Sequence, residues 1–487
     1  MLKKRLIGVR TVFMKQKKFY CLAAAAVLVL CFASCSSDSG GTKSTLPDLS
    51  GVGTASAPFL VSSAADLLKI GKGPDGSWTR NALEAHYELT TDIDMTGINW
   101  KPIGDFDIDQ LGAQFDGIDD IDVINDIVSS SNFDSTFRGS FDGAGKKIKI
   151  GSTSDLPALF IAVGQGSTVK NLELEDGGIV VVIFYGTIED CYATDGITGV
   201  NFWGTIKNCY VTGNVTGDSS DEEVGGIAGV NFGTIENCYV TGNVTGNERV
   251  GGIVGTNLGM IKSCHATGSV TGDESVGGIV GINTGTIESC YTTGNVTGND
   301  SQVGGIVGAN GGGILGVNGG KIENCYATGD VTGNDWAVGG IAGSSRSTIE
   351  NCYATGNIKG NEDVGGIVGC NSDGGTIKNC YATGTVTGDT RYAGGIAGGN
   401  YIGSTIENCV ALNATVTAPS NVGRVIGNDS TTGLSNNHAR DNMTGSSFTN
   451  IALNNKDGDD ISSWDPAWFV SIGFTDSWWT DKLPTYP

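Results

Sequence analysis

Val250-Gly-Gly-Ile-Val-Gly-Thr-Asn257, followed by Ile261-Lys-Ser-Cys264-His265-Ala-Thr-Gly-Ser-Val-Thr-Gly272, is one unit of a repeat that organises most of the chain. Its anchor Cys recurs at 191, 209, 238, 264, 290, 325, 352, 380 and 409, at intervals of 18, 29, 26, 26, 35, 27, 28 and 29 residues. The first interval lacks the middle piece, and the longest contains the insertion Gly311 to Gly320. A period of about 27 residues with three short β-prone pieces per unit (Gly-Gly-Ile-Val, Thr-Ile-Glu-Asn-Cys-Tyr-Ala, Asn-Val-Thr) specifies a β-solenoid. Gly density and β-branched content exclude helical repeats. Stacked rungs then lie about 4.8 Å apart.

The inward face follows from a divergent rung, Val169-Lys170-Asn171-Leu172-Glu173-Leu174. Strict alternation from the Ile would point the Tyr column into the lumen. In this rung, however, Leu stands in the Cys column and Glu in the Tyr column, and a Glu does not belong in a dry core. The Cys column therefore faces in and the Tyr column out. That reversal needs a bend, and Asn171, Asn208, Asn237, Asn324, Asn351, Asn379 and Asn408 stand where it is needed. Asn tolerates left-handed geometry and can bond to its counterparts along a ladder. The expected inner columns are Ile (188 to 406), Cys and mostly Ala, with a second Ile column (227 to 396) on another wall. Cys then acts as a small apolar filler. In-register neighbours sit nearly 5 Å apart at Cβ, beyond the reach of a disulfide, and no zinc spacing is present. Cys370 stands outside the column.

Composition narrows the function. The chain has 487 residues, 78 of them Gly and only 9 Pro, with a net charge of −23. The first 34 residues hold seven of the 29 basic residues and none of the 52 acidic ones, so the remainder carries 22 against 52, a net of −30. An acidic surface of this kind excludes nucleic acid as a partner and favours cations or neutral ligands.

The N-terminus reads as an address. Lys15 to Lys18 precede an apolar run from Cys21 to Phe32, too short for a membrane span and suited to a signal-peptide core. It closes on Phe32-Ala33-Ser34-Cys35, which resembles a bacterial lipobox. Residues 1–34 are thus expected to be a lipoprotein signal peptide and Cys35 the lipidated residue. Residues 35–50 would form a flexible tether. This implies attachment to the outer membrane through the lipid, with exposure at the cell surface a further expectation. A plain cleaved signal is the alternative.

The run Gly251-Gly-Ile-Val-Gly-Thr-Asn257 and its relatives at 225–231, 277–283, 304–310 and 365–371 resemble the GLUG motif, found in tandem in bacterial surface proteins and near immunoglobulin A metallopeptidases. Upstream segments such as Tyr87 to Asp94 and Phe137 to Gly143, and downstream Ala439 to Met443 and Trp464 to Pro484, resemble the flanks of such solenoids. The resemblance implies an all-β, right-handed parallel β-helix, of rungs of about 27 residues, with N- and C-terminal caps. It also implies adhesion or glycan contact. The peptidase association does not transfer: there is no His-Glu-x-x-His, and His86, His265 and His438 are far apart in sequence. On this reading residues 51–150 form an N-terminal cap with an acidic insertion, 151–415 the β-helix, and 416–487 an aromatic-rich cap acting as a hydrophobic plug. Ser63 is expected to cap a short helix reaching Ile70.

Three candidate chemistries stand out. The outward column Tyr192, Tyr210, Tyr239, His265, Tyr291, Tyr326, Tyr353 and Tyr381 could stack sugar rings, with Tyr210, Tyr239, Tyr291, Tyr326, Tyr353 and Tyr381 as candidate ligand-binding residues. Alternatively, these rings stabilise only their own ladder. Residues 105–134 contain nine Asp, and Asp105, Asp107, Asp109 and Asp116 are spaced like calcium-loop ligands. Gln110 at the sixth position and Asp116 at the twelfth depart from that pattern, leaving a solvated acidic insertion as the other reading. The column Glu189, Lys207, Glu236, Lys262, Glu288, Glu323, Glu350, Lys378, Glu407, with Lys interleaved among the Glu, reads as cross-rung charge pairing rather than a glycosidase pair. No catalytic residue or cofactor is expected, Ca2+ apart. Near-identical rungs favour repeated contact over a unique catalytic constellation. The expectation is a monomeric, non-enzymatic adhesin or glycan-binding module whose partners are glycans or host-matrix proteins. The alternatives are a polysaccharide-degrading β-helix and a structural spacer.

Overall fold

The computed structural model describes residues 49–104, 136–151, 157–217, 222–311, 320–401, 403–429, 433–445, 448 and 455–485. The chain winds through three parallel sheets that serve as the walls of a β-solenoid, with 26, 11 and 15 strands. In one rung the first wall takes Thr286–Glu288 and Tyr291–Thr292, separated by a bend. The third wall takes Val296–Gly298 and the second takes Val307–Asn310. Equivalent residues pair in register from rung to rung: Ile261 with Ile287, and Ile287 with Ile322.

The bend lies where the sequence requires it. Asn208, Asn237, Asn324, Asn351, Asn379 and Asn408 all adopt φ between 51° and 56°, as do Asp190, Ser263 and Ser289 at the same position. One left-handed residue between Ile and Cys resets the alternation, so both side chains reach the lumen. The Ile and Cys columns are wholly buried from Ile188 and Cys191 to Ile406 and Cys409, as is the second Ile column from Ile227 to Ile396. The ten described cysteines are free and buried. In the column, each thiol donates to carbonyls rather than to sulfur; that of Cys290 reaches the carbonyl of Glu288 at 3.2 Å.

Sequence reading missed a second ladder. Asn201, Asn231, Asn257, Asn283 and Asn310, at the ends of second-wall strands, are fully buried and pass a side-chain bond from rung to rung at 2.8–2.9 Å. Each buried amide finds its partner in the next copy of itself, which removes the penalty of an unpaired polar group.

The abundant glycine has a packing cause. A Cβ on Gly281 of the second wall would lie 2.4 Å from the carbonyl carbon of Arg249 on the third, and one on Gly398 would lie 2.3 Å from that of Asp363. Those walls therefore meet backbone to backbone, an approach closed to any residue with a side chain.

At the N-terminal end, Ser63 caps the helix Ala64–Leu67, its hydroxyl accepting from the Asp66 amide at 3.2 Å. That helix ends before Ile70. A second short helix, Arg80–Leu83, capped by Thr79, was not anticipated from the sequence. At the other end Asp459–Ile461 pairs with His438–Arg440 and extends the first wall.

Candidate binding face

The outer side of the first wall carries the aromatic column. From Tyr210 to Tyr381 consecutive rings, His265 included, stack with centroids 4.7–5.1 Å apart and planes within 9° of parallel. Tyr192 is tilted by 44° against Tyr210. The register of the strands imposes this spacing, since Tyr291 pairs directly with Tyr326 and Tyr326 with Tyr353.

This geometry changes what the column offers. Each internal ring has both faces against its neighbours, so it presents only an edge outward, with a hydroxyl where the ring is Tyr and an imidazole edge at His265. Stacking a sugar on a ring face, as the sequence suggested, is closed along the ladder's interior. Tyr381 must also be removed from the exposed candidates. It is buried, and its hydroxyl donates to the Lys482 carbonyl at 2.6 Å.

The cover is the aromatic tail. Asp465 caps the helix Pro466–Ser471 and Asp476 caps the short turn Ser477–Asp481. These place Trp479 at 5.7 Å from the Tyr381 ring and 6.3 Å from Tyr353, with Trp478 at 6.4 Å from Tyr326. Tyr381, Val410, Leu412, Trp464, Phe469, Phe474 and Trp479 form a core of their own, separate from the lumen. The tail expected to plug the end of the solenoid instead lies against the outer side of the first wall. The seat is where the column steps down from Tyr381 to Val410 and then His438, which Trp468 meets edge-on at 5.2 Å. Within the ladder the tail's ring contacts fall on Tyr326, Tyr353 and Tyr381, and Tyr192 to Tyr291 stay partly exposed.

Beside the ladder, the charge column pairs across rungs as its alternation suggested: Lys207 meets Glu189 at 2.6 Å and Lys262 meets Glu288 at 3.1 Å. These exposed pairs contribute little each. On the opposite edge, Asp363 accepts from the Tyr401 hydroxyl at 2.9 Å to both carboxylate oxygens. Burial lifts its carboxyl to about 6, against the lowering effect of the Tyr401 bond.

Among the described residues no group of three or more His, Cys, Asp or Glu is placed to hold a metal ion. The proposed calcium ligands Asp105, Asp107, Asp109 and Asp116, and the lipidation candidate Cys35, lie outside the described residues.

Rungs of this geometry match a known repeat. Residues 220–245, 246–271, 272–297, 299–332, 334–359, 360–387 and 389–417 each match the family described as the GLUG motif. The repeats are GLUG motifs. Each GLUG unit supplies one turn of the solenoid, including its bend residue and the aromatic or equivalent position after the Cys. No curated protein matches the chain. One solved structure, described as "a putative immunoglobulin A1 protease from Bacteroides ovatus", is similar over 86% of this chain and 88% of its own, at 18% identity and a TM-score of 0.25. At that identity and superposition the likeness carries no argument about the chemistry of the GLUG rungs.

Proposed function

We propose that this GLUG-repeat β-solenoid is a non-catalytic adhesin that holds an extended glycan against the first wall, tethered to the outer membrane through a lipid on Cys35. The observation that supports this is the ladder from Tyr210 to Tyr291, one ring per rung at 4.7–5.1 Å and edge-on to solvent. A polymer lying along the axis would meet tyrosine hydroxyls at Tyr210, Tyr239 and Tyr291 and an imidazole at His265, and shallow contacts repeated in this way add by avidity. Tyr381 illustrates the chemistry, since its hydroxyl donates to a carbonyl oxygen. Glycan hydroxyl, ring and carbonyl oxygens are acceptors of the same kind. An enzymatic reading would need two carboxyl groups free for acid–base work. On this wall Glu189, Glu288 and Glu323 are instead paired with lysines, and Glu236, Glu350 and Glu407 recur as copies of one repeat position without setting a unique pair apart.

A spacer reading is favoured by one observation: ring faces turned on each other stabilise the ladder without any ligand. Binding of the purified protein to arrays of glycans and host-matrix proteins, with calcium and with chelator, separates the readings. Selective binding weakened by Tyr→Ala changes at 210, 239 and 291 supports the ladder. Loss only with chelator moves the site to the acidic insertion. Silence in both conditions leaves the spacer.

A further inference from the structure

The first wall has a second aromatic feature, at the corner where the chain enters it from the second wall. Phe184, Phe202 and Phe232 stack there at 5.4 and 5.2 Å. In two successive rungs one extra residue stands between this Phe and the next Gly: Tyr185 in one, Trp203 in the other. The next two rungs run directly from Phe232 to Gly233 and from Leu258 to Gly259, so the corner closes there without the extra residue. Both extra residues are held in the left-handed region, at φ 57° and 53°. Bulky aromatic residues rarely adopt it, and outliers of this kind gather at ligand contacts.

Neither ring is spent on the lumen. Tyr185 is 48% exposed, one of few large apolar side chains so open among the described residues. Its ring stacks on Trp203 at 5.3 Å and 17°. Trp203 in turn leans on Phe232 at 6.1 Å. Among the described residues Tyr185 ends this stack, in contrast to the internal rings of the Tyr ladder. Beside the corner runs the column Thr187, Thr205, Thr234, in register and half-buried. Neither the corner residues nor this Thr column carry charge.

We infer that Tyr185 and Trp203 form a platform for a sugar ring of a neutral glycan, with the adjacent Thr hydroxyls as hydrogen-bonding partners. An aromatic face beside hydroxyl groups suits a sugar's apolar C–H face and polar rim. The uncharged corner on a chain of net charge −23 disfavours anionic polymers. The inference rests on the glycan-binding reading above and adds a site on the same wall, in the rungs of Tyr192 and Tyr210 but at the edge where the chain enters the wall.

The test is calorimetric titration of the full chain with neutral hexasaccharides (β-1,4-glucan, β-1,3-glucan, α-1,4-glucan) and a sulfated one. The variants are Tyr185→Gly, Tyr185→Phe, Trp203→Gly and the ladder variant Tyr239→Ala. Glycine suits the left-handed backbone, so Tyr185→Gly removes the ring while keeping the fold, which thermal melting verifies. The expected result is binding of a neutral hexasaccharide, weakened about tenfold or more by Tyr185→Gly and kept by Tyr185→Phe. Binding unchanged in both Tyr185→Gly and Trp203→Gly but lost in Tyr239→Ala overturns the corner site and leaves the glycan reading standing. Binding of the sulfated sugar alone also overturns the corner. Binding of no sugar overturns both.

Discussion

Tyr381 donates its phenolic hydrogen to the carbonyl of Lys482, 101 residues away in sequence, at 2.6 Å. That bond, with Trp479 over the Tyr381 ring, fastens the tail to the side of the solenoid. Tyr381→Phe is expected to cost about 1 kcal/mol, one hydrogen bond. Trp479→Ala removes a buried indole and is expected to cost about 3–5 kcal/mol in the tail's own core. In Trp479→Ala, but not in Tyr381→Phe, Tyr353 should become more reactive to tetranitromethane. Peptide mapping after nitration reads the difference.

The bend residues give a substitution order that reverses the usual one. Asn379 sits at φ 51°, accepts from Asn408 at 2.6 Å and donates to Asn351 at 3.2 Å. Glycine and alanine both delete these bonds, but only alanine must be forced into the left-handed region, at roughly 1–2 kcal/mol. Asn379→Ala should therefore melt below Asn379→Gly, the opposite of the order inside a regular strand.

Asp363 makes stability depend on pH. Burial raises its carboxyl from the ordinary 3.8 to about 6. The folded chain thus holds this proton more tightly than the unfolded chain. Its stabilising contribution is complete below about pH 4 and is lost as pH rises through about 6. Asp363→Asn keeps an acceptor for Tyr401 and cannot ionise. The gap in melting temperature between variant and wild type should widen in the variant's favour between pH 4.5 and 7.5. A gap that stays constant over that range would count against a buried, titrating Asp363.

The thiols should be silent in the native state. Nine column cysteines have no exposed surface, and Cys370 has only 8%. Burial also lifts the Cys370 thiol, to about 12. A disulfide exchange reagent should therefore leave all ten described cysteines unmodified in native buffer and modify them all in denaturant. Mass spectrometry of quenched samples counts them.

Much of this was legible in the sequence. Glu173 in a column otherwise mostly of Tyr fixed which side chains face the lumen, and the Asn before most of the Cys located the bend. Both inferences used local rules: burial cost and left-handed tolerance. The tail's seat was not legible, because it depends on Tyr381, Val410 and His438 presenting a step to residues far along the chain. The Asn201-to-Asn310 ladder was missed for a related reason. A polar residue at the end of a Gly-rich strand looks like a turn signal until stacking supplies its partner. The closed ring faces of the Tyr ladder follow from side-chain orientation, which residue spacing alone does not set. The extra Tyr185 and Trp203 were visible as a one-residue misalignment between rungs, but their left-handed backbone was not.

Repetition also bears on how such a chain finds its fold. Thr286–Glu288 matches Thr234–Glu236 in sequence and would pair with it almost as well as with Met260–Lys262, its actual neighbour. A nascent chain could skip a turn, loop out about one repeat and meet little local protest. The tail acts as a tally. Trp479 and Trp468 find their seat only when Tyr381, Val410 and His438 lie on successive turns, so a miscounted stack at that end is left with an undocked aromatic segment. Docking of this segment is thereby tied to correct stacking of those three turns.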